Sequence, residues 1–78
     1  MKLPEDVYAK IKQLMRDAKD LAAYLDEKYG EEWYKEEFET DISGAIADVV
    51  VFFIDKEAAS ITVDLEKEEI IIEEEEGI

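Results

Sequence analysis

Val7, Ile11, Leu14, Ala18, Leu21 and Leu25 are spaced 4, 3, 4, 3, 4 along the chain. That alternation keeps all six on one helical stripe and commits a third of a 78-residue chain to a single amphipathic helix. Tyr8, Met15, Ala22 and Tyr29 recur every seven residues and widen the stripe on one side. Pro4 suits the first helical position, and Glu5 and Asp6 suit the positive end of the helix dipole. Gly30 is placed to end the helix in a left-handed conformation. The spacing therefore predicts a helix over 4–29.

Beyond Gly30, Tyr34, Phe38 and Ile42 resume helical spacing with Trp33 beside them, which predicts a second helix over about 31–42 folding back on the first. The next segment, "AIADVVVFFID", reads two ways. Ser43-Gly44 can stop the helix, and the apolar run is wholly β-branched or aromatic between Asp48 and Asp55, which favours a strand over about 46–54. Phe38, Ile42, Ala45, Val49 and Phe53 also stay on one side of a single helix running from 31 to about 58, so that alternative stays open. The strand reading is the one adopted.

"SITVDLE" alternates, with Ile61, Val63 and Leu65 on one face and Thr62, Asp64 and Glu66 on the other. "KEE" is the turn, and a strand returns over about 69–76. The expected fold is α+β in one domain over 1–78: an antiparallel helical hairpin packed on an antiparallel meander of two or three strands (about 46–54, 60–66 and 69–76). At the chain's end Ile70 and Ile72 would pack over the helices while Glu73, Glu74, Glu75 and Glu76 overrun the core into water.

Composition excludes much chemistry. Without cysteine there is neither a disulfide framework nor thiolate chemistry, and without histidine the residue that titrates near neutrality is missing. Ser43 and Ser60 have no such base, and Lys56 is isolated in the sequence. "DISGAIAD" lacks the spaced acids and closing glutamate of a calcium loop, and Gly30, Gly44 and Gly77 form no phosphate loop. No enzyme, metal or cofactor is expected. The longest apolar run, "VVVFFI", is far short of a membrane span, and Met1-Lys2-Leu3 leads straight into the first helix, so a cytoplasmic or recombinant protein without a targeting signal is expected.

The charge is uneven. Residues 1–30 hold six basic and six acidic side chains, whereas residues 31–78 hold three lysines and seventeen acids and carry the entire net charge of −14. Such a surface repels nucleic acid and anionic membrane. It suits a basic protein partner, met through residues 31–78 with Glu73, Glu74, Glu75 and Glu76, whose carboxylates would imitate the phosphates of DNA. If 46–54 is a strand, Val50, Phe52 and Ile54 share a second apolar face that needs a cover, and a second copy related by two-fold symmetry is the simplest one. Two functions follow: a non-catalytic, self-assembling scaffold, or an acidic module that binds a basic protein.

The absence of Asn, His and Cys, Pro4 at a helix start, Gly30 after a helix end and a surface of Glu, Lys and Ala extend over the whole chain. In these respects it resembles computationally designed small α+β proteins. The "KEAA" and "EKEE" connections and the Glu and Ile bias resemble hyperthermophile proteins instead.

Overall fold

The computed structural model describes residues 3–54 and 59–74. Helix α1 (Glu5–Tyr29) is followed by a 3-10 turn (Gly30–Glu32), helix α2 (Lys35–Phe53), and strands β1 (Ala59–Asp64) and β2 (Glu69–Glu74). The strands form one antiparallel two-stranded sheet, and the helical hairpin packs on it. The α+β layout expected from the sequence is thus the one adopted, with two strands rather than three.

Pro4 stands just outside α1 as its cap (φ −55°, ψ 141°), and its carbonyl accepts the Tyr8 N–H at 2.9 Å. Its ring lacks only an N–H that no intrahelical acceptor could serve. Gly30 ends the helix at φ 61° and ψ −138°, a region closed to residues with a Cβ, and donates its N–H to the Asp26 carbonyl. The chain then turns through Trp33, whose ring packs against Phe38 with centroids 5.8 Å apart.

The face that α1 buries is turned from the expected stripe. Ile11, Met15, Ala18 and Ala22 are buried, whereas Leu14 is 44% and Leu21 49% exposed. Ile11 and Met15 pack with Ile46, Val50 and Leu65 in the core, and on the flank opposite Leu14 and Leu21, Arg16 and Lys19 both reach Glu68 in the β1–β2 turn.

Helix α2 corrects the strand expected over 46–54. The helix continues through Ser43 and Gly44 to Phe53. In helical geometry Ile46, Val50 and Ile54 fall four residues apart on one stripe and join Ile11, Met15 and Leu65 in the core. A strand would have placed Val50, Phe52 and Ile54 together and turned the other half of the run away from the core. Helix propensity argues against the β-branched residues by at most about 0.7 kcal/mol each, while full burial of such a side chain contributes roughly 1.5–3 kcal/mol. Burial wins. The extension of the alternative helix to about 58 lies, past Ile54, outside the described residues.

The strand register is Ile61↔Ile72 and Val63↔Ile70, so four β-branched residues line the helix-facing side in two cross-strand pairs. Ser60, Thr62 and Asp64 lie opposite Glu73, Ile71 and Glu69 on the outer face. The turn is closed by the Glu68 N–H donating to the Leu65 carbonyl at 3.3 Å and the Lys67 N–H donating to Asp64 Oδ1 at 3.2 Å. The molecule measures 49 × 25 × 18 Å with a radius of gyration of 14.3 Å. A compact domain of this length would have roughly 11.5 Å, so the fold is drawn out along its helices.

Candidate interaction surfaces

Side chains that the sequence placed on one interface part company in the structure. Val50 is fully buried and Ile54 nearly so, both in the core, which removes them from any contact surface. Phe52 is 84% exposed, its ring edge-on to Phe53 with centroids 5.1 Å apart. The separation follows from the change of period: residues two apart share a face of a strand and lie on opposite sides of a helix.

Phe52 has apolar company that was not anticipated. On α2, Val49 is also exposed, and both lie on the flank opposite Ser43 and Ala47, the side chains that face β1. On α1, Leu14 and Leu21 lie on the flank opposite Arg16 and Lys19, which face the β1–β2 turn. Both flanks therefore point away from the sheet. The outer side of the helical hairpin carries Leu14, Leu21, Val49 and Phe52 as an apolar band. The sequence signal for it was the seven-residue spacing of Leu14 and Leu21, which had been assigned to the core.

A second surface lies on the other flank of α2. An open groove of about 780 Å3 runs between α2 and β1. Ser43, Gly44 and Ala47 form its helical wall, and consecutive residues Ile61–Glu66 form the other. A run of consecutive strand residues can line a groove only along the strand's edge, because successive side chains alternate between faces. β2 is the one strand paired with β1 among the described residues, so this edge has no strand against it. Among the described residues, four acids, Glu36, Glu39, Asp64 and Glu66, line the groove and no Lys or Arg does; Glu39 faces Lys35 on its own helix at 3.9 Å.

Of the expected acidic surface, Glu73 is exposed on the outer face of the sheet opposite Ser60, and Glu74 ends β2. Glu75 and Glu76 lie outside the described residues. The closest charge cluster is elsewhere: Arg16 Nε lies 2.6 Å from Glu68 Oε1 and Lys19 Nζ 3.4 Å from Glu68 Oε2, while Lys19 Nζ also donates to the Glu66 carbonyl at 2.9 Å. The hydrogen bond from Arg16 chiefly holds the Glu68 carboxyl below its ordinary range. This is the direction opposite to the one a general acid needs, and the cluster serves to tie the turn to α1.

Ser43 lines the groove and Ser60 is exposed, and Lys56 lies outside the described residues. Among the described residues no three carboxylates converge as metal ligands, and no helix is long and apolar enough to cross a membrane. No protein family, curated protein or solved structure matches the chain.

Proposed function

We propose that the chain is a non-catalytic assembly unit, two copies of which associate through the outer side of the helical hairpin. The observation that carries this reading is Phe52, an aromatic residue 84% exposed beside Val49 in a band that continues through Leu14 and Leu21. Large aromatic side chains at the centre of an apolar patch are the usual anchors of a protein interface.

α1, which supplies Leu14 and Leu21 to this face, belongs to the neutral first thirty residues, so its half of the face brings no net charge to a contact between two copies. Two copies meeting hairpin to hairpin form an isologous contact. The composition shared with designed proteins fits a chain whose sequence mostly encodes its own structure and contacts.

Light scattering coupled to size exclusion, at low and at high salt, tests the proposal. An apolar contact predicts a dimer that survives high salt, and Phe52→Glu is expected to convert it to monomers that remain folded. Monomers of the unaltered chain at both salts would sink the idea. A dimer that persists in Phe52→Glu would remove the hairpin face from the interface.

A further inference from the structure

We propose that the groove between α2 and β1 takes an extended basic segment of a partner protein, added to the sheet as a third strand along β1. The site lies on the flank of α2 opposite Phe52, so it is independent of the self-association face.

The free edge of β1 supplies the backbone chemistry. In an antiparallel pair alternate residues direct both N–H and C=O to the partner strand, and the residues between direct theirs away. Half of the six residues of β1 therefore present donors and acceptors on the groove side. Proteins ordinarily blunt such an edge with charge, proline or a bulge. β2 carries Glu69, Glu73 and Glu74, whereas β1 has no charged residue from Ala59 to Val63. The undefended edge is the one that faces the groove.

Gly44 makes the room. A glycine inside a helix is destabilising by about 1 kcal/mol relative to alanine. Among the described residues nothing beyond its own stretch of helix lies within 4 Å of the point where a Cβ would stand at this position, so no packing contact there requires its absence. The bare helix backbone beside a free strand edge leaves space for another chain. Side chains of an added strand would alternate between the inner face, over Gly44 and Ala47, and the outer face beside Thr62 and Asp64.

Charge selects the occupant. With Glu36, Glu39, Asp64 and Glu66 around it and no lining cation among the described residues, the groove attracts a segment carrying Lys or Arg at alternate positions. A second copy is a poorer fit, because its β1 would bring a second Asp64 and Glu66 into the same acidic space. Small or medium apolar side chains at the intervening positions complete the match. This is recognition by strand addition, with main-chain hydrogen bonds giving affinity and alternate side chains giving selectivity.

The test uses the full chain and a labelled, end-blocked heptapeptide of alternating lysine and valine, titrated by fluorescence anisotropy at low and at moderate salt. Binding is expected, weakening as salt rises. N-methylation of alternate peptide amides, or Gly44→Leu in the protein, should each lower affinity by about tenfold or more, a difference of 1.4 kcal/mol or more. Circular dichroism checks that Gly44→Leu is folded, and peptide addition should slow hydrogen exchange at alternate amides of β1. The Phe52→Glu variant should bind the peptide as the unaltered chain does, so failure of the hairpin interface leaves this site standing. No binding at low salt would overturn the proposal. So would heptalysine binding as tightly and with no response to Gly44→Leu, which would reduce the effect to bulk charge. A dimer dissociated by Gly44→Leu and not by Phe52→Glu would give the edge to a second copy and overturn the basic occupant.

Discussion

The two helices of the hairpin solve different problems. α1 buries one narrow stripe, Ile11, Met15, Ala18 and Ala22, and its remaining surface is charged or half-exposed. α2 carries apolar or small residues on three sides: Ile46 and Val50 in the core, Ser43, Gly44 and Ala47 along the groove, and Val49 and Phe52 outside. A helix with one apolar face needs one partner. A helix apolar on several faces is either buried all round or has partners of its own to meet. α2 is not buried all round, and it contributes to both of the proposed surfaces, whereas α1 contributes Leu14 and Leu21 to one of them.

That contrast can be tested by substitution. The largest effect is expected at the shared core, where Met15→Ala and Ile46→Ala should each lower the free energy of unfolding by about 2–5 kcal/mol in urea titrations. Leu14→Ala, on the same helix as Met15 but half-exposed, should lose far less in a monomeric background; an equal loss would mean that the face of α1 has been misplaced. Gly44→Ala should raise stability by about 1 kcal/mol, since the new methyl meets open space. A destabilised Gly44→Ala would show that the groove wall cannot accept even a Cβ.

Smaller still is the contribution of Glu68. Its carboxyl titrates below the ordinary value of 4.5 in the folded chain, so the folded state favours the ionised form. The associated stability is fully present above that value and is lost as pH falls through the lower, folded one. Glu68→Gln should therefore flatten the loss of stability below pH 4.5, measured as melting temperature against pH. An unchanged profile would remove the tie from α1 to the turn. The least effect is expected at Phe52→Ala, within about 0.5 kcal/mol for the monomer, because the ring touches little of its own chain.

Much of the fold was legible in the sequence because its signals were local. The strand alternation of Ile61 and Val63 set the inner face, and Gly30 marked the end of α1. The run from Val49 to Ile54 was not legible, because its residue types favour a strand while its place in the fold favours a helix. The deciding contacts come from Met15 and Leu65, which no window around Val50 contains. The rotation of α1 was hidden for a similar reason: the core partners of Ile11 and Met15, among them Ile46, Val50 and Leu65, lie far along the chain. Of the named interface residues only Phe52 remains available for contact. The groove was invisible because its walls, around Gly44 and Thr62, are separate in sequence and meet only in the folded chain. Two hints were present, a glycine inside a helical pattern and a strand without charge beside one rich in glutamate.

The tie between Arg16 and Glu68 also bears on how the chain reaches its fold. The helical hairpin and the strand hairpin are each built from neighbours in sequence, and such local pieces form within microseconds. Joining them closes a loop spanning fifty-two residues, an entropic step that grows only as the logarithm of loop length. The rate should then be set by the docking of two preformed hairpins, and charge at the turn would act late, after the barrier. Glu68→Gln is accordingly expected to speed unfolding and leave the refolding rate nearly unchanged.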